Sequence, residues 1–226
     1  ALSADSHDAL RQPDADTAAS KVMTAAPADY STELLILRKT PYQDNTLIVG
    51  GISPEYGRMG FSMGMPSGRA RKAGAYFDLF QVLQVEYRGG GEELSHCRKY
   101  SVVRDYSGVT SCRVGFEAAC FLARFAMANI LPRVAMPAFF RAMEVSLVRL
   151  CSADTQPESV LTGAGLTFLN ESGLLSPQAM TPREAAQCQM LLEMASGGAS
   201  PVLEASVWTS LWDWTKARLL EAECIL

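Results

Sequence analysis

The chain has 226 residues, of which 48% are hydrophobic and 19% charged, and its formal net charge is −4. That composition is globular and leaves room for one or two domains with a real core, which excludes a collagenous, low-complexity or wholly disordered chain. The charge is uneven: residues 31–104 hold ten basic and seven acidic residues, whereas residues 1–30 and 105–226 are both net acidic.

Residues 1–30 are rich in Ala, Asp and Ser, lack a sustained apolar period, and read as a disordered tail. They contain no apolar run of the signal-peptide type, and Asp5, Asp8, Asp14, Asp16 and Asp29 argue against a transit peptide. The longest charge-free run lies between Glu158 and Glu171 and is too short to span a membrane. A cytoplasmic protein is expected, with no membrane partner.

Residues 31–105 read as β-structure. Thr32–Lys39 carries Leu34, Leu35, Ile36 and Leu37, and Thr46–Ile52 follows the turn-prone Gln43, Asp44 and Asn45. A second turn runs from Ser53 to Gly57, where the glycine is free to take positive φ. Arg58–Met65 is a third strand. Phe77–Arg88 places Leu79, Gln81, Leu83, Val85 and Tyr87 at a period of two. Gly89, Gly90 and Gly91 then close a hairpin into a fifth strand, Glu92–Arg104. Five short strands at this spacing fit a small barrel. Between the third and fourth lies Pro66–Tyr76, a glycine-rich loop holding Arg69, Arg71 and Lys72.

From about residue 110 the period becomes helical. Val114–Leu131 sets Phe116, Cys120, Ala123, Met127 and Leu131 on one face, carries other apolar residues elsewhere, and reads as a buried helix. Pro137 opens a second helix with Phe139, Phe140, Met143, Leu147 and Leu150 inward and Arg141 and Glu144 outward. Pro157 begins a third, which Gly173 can end. Thr181-Pro182-Arg183-Glu184 is a capping box for a fourth, closed by Gly197 and Gly198. Ser200-Pro201 starts the last, with Trp208 and Trp212 on one face, most simply as core. The expected fold class is therefore α+β: a five-stranded barrel over residues 31–105, then an all-helical domain over residues 110–226.

Catalytic motifs are missing. No G-x-S-x-G, H-E-x-x-H or G-x-x-x-x-G-K-[ST] occurs. His96 and Cys97 are neighbours on a strand, so their side chains point to opposite faces and do not form a dyad. The six cysteines lack paired C-x-x-C spacing, and only His7 and His96 join them as soft ligands, so no zinc site is assigned and the thiols read as reduced. No catalytic residue, cofactor or metal ligand is expected.

The basic segment carries the stronger signal. Single-stranded nucleic acid is held by cations that follow the phosphates and by aromatic faces on which bases stack. Arg38, Lys39, Arg58, Arg69, Arg71, Lys72, Arg88, Arg98, Lys99 and Arg104 supply the first, and Tyr42, Tyr56, Phe61, Tyr76 and Tyr87 the second. The candidates for DNA contact are Arg38, Lys39, Arg58, Arg69, Arg71, Lys72, Arg88, Tyr42 and Tyr76. A solvated loop also accounts for the Arg69, Arg71, Lys72 trio, and barrel core for Phe61 and Tyr87.

An ordered set of elements resembles the bacterial recombination protein O (RecO) family. It comprises Leu35 to Val49 (LILRKTPYQDNTLIV), the turn Glu55-Tyr56-Gly57-Arg58, Gly64 followed by Arg69 and Arg71, the strand entry Tyr76 to Phe80, and Gly91-Glu92-Glu93-Leu94. The likeness covers residues 32–105, and the helical remainder in outline, through Phe168 to Leu175 and Ser210 to Trp214. Two positions depart from the family: the four-cysteine zinc element of many members is absent, and Met63 stands where a lysine is usual. The resemblance implies an OB-fold barrel and a non-enzymatic recombination mediator. Such a protein binds and anneals single-stranded DNA, contacts the C-terminal tail of single-strand-binding protein, and with RecR helps load the RecA recombinase. It further implies that Arg124, Arg133, Arg141 and Arg149 are candidates for pairing with that acidic tail, since an arginine fork matches a carboxylate. The overall acidity favours a competing expectation, an OB-like adaptor that binds protein and not nucleic acid.

Overall fold

Leu34, Leu35, Ile36 and Leu37 are consecutive and all buried. A strand with one face in solvent cannot achieve this, because successive side chains alternate between faces. The structure, a computed structural model describing residues 29–43, 46–64, 77–88, 94–175 and 180–226, gives each face its own core. From β1 (Asp29–Gln43), Leu34 and Ile36 join Val49, Phe61, Met63, Leu83, Val85 and Tyr87 inside a barrel. Leu35 and Leu37 instead join Ile52, Phe80 and Val82 in a core shared with the helices.

The barrel is completed by β2 (Thr46–Ser53), β3 (Gly57–Gly64), β4 (Gln81–Arg88) and β5 (Leu94–Asp105), closed in the order β1-β2-β3-β5-β4. The first half of β1 pairs with β4 and the second half with β2, so Leu35 lies opposite both Val82 and Ile52. The β3–β5 contact is parallel, from Gly60 opposite Leu94 to Ser62 opposite His96, and the other pairings are antiparallel. This five-stranded arrangement is of the OB type, as expected.

Three strand ends lie three or more residues from where they are expected; one is the end of the first strand, which runs on past Lys39 to Gln43. The first strand begins at Asp29, inside the stretch assigned to the tail, because Tyr30 stacks on Tyr87 at 5.6 Å between ring centroids. The fourth begins at Gln81 rather than Phe77, because Phe80 has φ of 63° and turns the chain. That unusual backbone is held at both ends: the Phe80 N–H donates to the Ile36 carbonyl (2.9 Å), and its carbonyl accepts from the Tyr106 N–H (3.0 Å). The tail up to residue 28, the loop at residues 66–76 and the hairpin glycines 89–91 lie outside the described residues.

A 3₁₀ turn (Ser107–Ser111) leads into α1 (Arg113–Asn129), α2 (Pro137–Leu150), α3 (Pro157–Glu171), α4 (Pro182–Ala195) and α5 (Ala205–Glu221). The capping box at Thr181 and Glu184 is formed in both directions. Gly173 follows α3 with φ of 70° and Gly197 follows α4 with φ of 114°. α1 buries Ala118, Ala119, Leu122, Ala123, Phe125 and Ala126 and is the buried helix expected; Phe116, Cys120 and Met127 of the stripe pack at the edge of that core, and Leu131 lies exposed beyond the helix end. α5 starts four residues after Pro201. Before it begins, Leu203 packs on the cluster of Leu166, Leu191, Met194 and Trp208. Of the two tryptophans, Trp208 is buried and Trp212 packs edge-on to Phe121. No helix among the described residues is long and apolar enough to cross a membrane.

Barrel and helices are stitched together. The α1–α2 connection runs along the β2–β3 turn: Arg58 N–H donates to Leu131, Arg133 N–H to the Tyr56 carbonyl (2.8 Å), and Met136 N–H to Pro54. A polar joint adds to this. The Arg104 guanidinium forks onto Glu33 of β1 and donates through Nε to Glu144 of α2 (2.5 Å), which also accepts from the Tyr106 hydroxyl (2.9 Å). The sequence reading put Glu144 on the outer face of α2. It is buried instead, because these two donors satisfy its carboxylate.

Candidate nucleic-acid interface

The described DNA candidates lie on several sides of the barrel. Arg38 follows a register shift in β1, sits opposite Gly50 of β2 and is exposed. Tyr42, near the end of the same strand, is 61% exposed. Lys39 is less available. Its ammonium pairs with Asp78 at 2.8 Å and lies 5.9 Å from the centre of the Phe77 ring. That hydrogen bond holds the Asp78 carboxyl below its ordinary range. Arg58 is turned toward the helices, where Nη1 donates to the Met127 carbonyl at 2.8 Å and so satisfies one of the unpaired carbonyls ending α1. Arg88 is exposed at the end of β4, opposite Asp29 and His96. Arg69, Arg71, Lys72 and Tyr76 lie outside the described residues.

One feature escaped the sequence reading. Tyr30, Ser31, Glu86, Tyr87 and Arg98 line a groove of about 250 Å³ where β1, β4 and β5 run side by side. Tyr87 belongs to the barrel core and meets Phe61 edge-on at 5.1 Å. Tyr30 stacks on its ring, 28° from parallel, and remains 41% exposed. An aromatic face is thereby fixed to the core yet open to solvent, with Arg98 beside it. The groove is smaller than the roughly 300–1,000 Å³ of sites for drug-sized ligands. Its signal lies in the sequence: Tyr30, Thr32, Leu34 and Ile36 share a period of two that extends upstream of Thr32. The Tyr87 hydroxyl is pushed above its ordinary value by burial, and further by Tyr56 and Tyr30 nearby, so it stays neutral.

Phe61 and Tyr87 are barrel core, as the plainer account of them held. His96 is exposed and Cys97 buried, on opposite faces as the alternation requires. Burial pushes the Cys97 thiol up to about 11, which keeps it protonated and unreactive at neutral pH. Among the described residues, no three His, Cys, Asp or Glu side chains are grouped to hold a metal ion.

The four helical arginines divide between α1, the α1–α2 connection and α2. Arg141 and Arg149 share α2: Arg141 lies 3.8 Å from Glu144, and Arg149 donates to the Gly198 carbonyl at 2.7 Å, tying α2 to the turn after α4. Burial lowers the Arg149 guanidinium from its ordinary value. Arg133 sits in the α1–α2 connection with φ of 64°, and Arg124 is exposed on α1. The fold defines the class: an OB-type barrel continued directly into a helical region. Set beside known proteins, the chain matches no protein-family model and no curated protein.

Proposed function

We propose that this protein is a non-catalytic, single-stranded-DNA-binding recombination mediator. In this reading it binds and anneals single strands and helps load RecA onto strands coated by single-strand-binding protein. The carrying observation is the closed β1-β2-β3-β5-β4 barrel continued into a helical region, the architecture that the resemblance to the RecO family implies. Three surface features support it: the exposed Arg38 and Tyr42, the exposed Arg88, and the Tyr30–Tyr87 stack with Arg98. Such a surface binds through phosphate charge and base stacking, with little dependence on base sequence. RecR and the tail of single-strand-binding protein are the partners this reading brings, with Arg124, Arg133, Arg141 and Arg149 as candidates for the tail.

The test is anisotropy of a labelled single-stranded oligonucleotide titrated with the protein across a salt series. Binding is expected to weaken with salt, with a log–log slope of about −0.7 per phosphate contacted. Absence of binding at low salt would overturn the proposal.

A second reading, a protein-binding adaptor, is favoured by one observation. Several barrel cations are already committed within the molecule: Lys39 to Asp78, Lys99 to Glu86, Arg58 to Met127, and Arg104 to Glu33 and Glu144. Retention of an acidic tail peptide by a protein with no affinity for the oligonucleotide would select this reading.

A further inference from the structure

We propose that the seam between the barrel and α1 binds phosphates of the single strand, held by Arg38 from β1 and Arg124 from α1. The inference rests on the single-strand reading above, and it moves Arg124 from the tail-binding candidates to the DNA path.

Gly50 makes the seam close. It lies opposite Arg38, and a Cβ placed on it would stand 3.0 Å from the Met127 ε-methyl and 3.6 Å from the Arg38 Cβ. Helix and strand therefore meet at Gly50 with no β2 side chain between them, and the Met127 methyl and the root of Arg38 both border that glycine. Arg124 precedes Met127 by three residues, so it is its neighbour on the helix surface, and it is exposed. Arg58 of β3 also reaches this helix and donates to the Met127 carbonyl.

Neither Arg38 nor Arg124 has a carboxylate partner among the described residues, whereas Lys39, Lys99 and Arg104 each have one. An anion seated between two guanidinium groups is attracted by both. Guanidinium forks match phosphate oxygens in pairs, and a single strand presents those oxygens at regular intervals. The strand would then leave the barrel along β1 and cross onto α1, so that the helical region takes part in DNA contact.

The experiment compares the full chain with Arg38→Gln, Arg124→Gln and the double variant, using an oligonucleotide of about 15 nucleotides, the upper end of one barrel's site size. Arg113→Gln, on the same helix but paired with Glu117, is the control. Each seam variant is expected to bind about fivefold more weakly at ~0.1 M salt and to lose about 0.7 from the salt slope, the double variant about twice that. Matching thermal melts would show that the exposed substitutions leave the fold alone.

An Arg124→Gln slope equal to wild type, with Arg38→Gln weakened, would confine the path to the barrel and overturn the seam while leaving the single-strand reading intact. Equal weakening by Arg113→Gln would reduce the effect to general charge and overturn it as well. Competition by inorganic phosphate at matched ionic strength, as strong as by unlabelled strand, would assign the seam to free phosphate instead. Absence of wild-type binding would sink both the reading and the seam.

Discussion

Gly57 illustrates how one residue fixes the meeting of barrel and helices. Its φ is 62°, and a Cβ there would lie 2.4 Å from the Val134 carbonyl oxygen and 2.5 Å from that of Leu131. Two separate costs follow for Gly57→Ala: left-handed backbone strain and collision with main-chain atoms that cannot swing aside. Gly173 shares the left-handed backbone, with φ of 70°, but nothing lies within 4 Å of its added Cβ. Urea unfolding should therefore show Gly57→Ala losing about 3 kcal/mol and Gly173→Ala about 1 kcal/mol. Equal losses would mean that the crowding at Gly57 is relieved elsewhere. The turn around Gly57 was legible because Ser-Pro-Glu-Tyr-Gly has turn chemistry. The left-handed Phe80 was not, because only tertiary hydrogen bonds to Ile36 and Tyr106 make a phenylalanine adopt it. Tyr106 adds a dependence on pH. Burial, and then its hydrogen bond to Glu144, push its phenol up to about 12 from an ordinary 10.0. Between those values the unfolded chain holds fewer protons than the folded one, so stability is full below pH 10 and falls as the pH rises toward 12. Denaturant midpoints across that window should fall less steeply in Tyr106→Phe; an identical slope would place the titration on other groups.

At the scale of elements, the joint between β1, β5 and α2 depends on charge partners brought from distant parts of the chain. Glu144 has a side chain only 7% exposed and relies on Arg104, forty residues earlier, and on Tyr106. Removing one partner strands a buried carboxylate, whereas removing both charges leaves apolar groups that can pack. Arg104 is itself 36% exposed, so solvent softens the loss. Arg104→Met is expected to cost about 2–3 kcal/mol, and adding Glu144→Leu should restore about 1 kcal/mol of it. A further loss from the second change would show that the carboxylate finds another donor. This joint could not be read from the sequence. The helical period sets Glu144 one turn from Arg141 on what resembles a solvated face, and nothing local announces a partner on β5. Elements whose signals are local were legible in contrast: the capping box of α4, the prolines opening α2 and α3, and the alternation of Leu83, Val85 and Tyr87. The candidate surface divided along the same line. Arg38 and Tyr42 are exposed on a strand that aliphatic residues announce, whereas the commitment of Lys39 to Asp78 depends on a turn some forty residues away.

For the whole molecule, the question is whether the barrel and the helices are one folding unit or two. The change of period near residue 110 divides the sequence cleanly, but the packing does not follow that line. Leu35, Leu37 and Ile52 from β1 and β2, Phe80 just before β4 and Val82 within it are buried in the same cluster as Phe125, Phe139, Met143 and Phe168 from the helices. A barrel released from the helices would expose those five aliphatic and aromatic side chains. At about 1.5–3 kcal/mol for each large apolar side chain moved into water, the loss is comparable to the whole stability of an ordinary domain. The two regions should therefore unfold together. The three tryptophans, Trp208, Trp212 and Trp214, all lie on α5, so tryptophan fluorescence reports the helical region alone. Amide exchange on β2 and β3, read by mass spectrometry along the same urea titration, reports the barrel. A single cooperative unit requires the two curves to coincide. If the fluorescence were lost at lower urea than barrel protection, the helices would be separable, and the barrel would be stable with its β1–β4 face uncovered. Coincident curves would also bear on the proposed DNA path. A strand bound across the seam would then raise both midpoints together, since a ligand that binds only the folded state stabilises the whole cooperative unit.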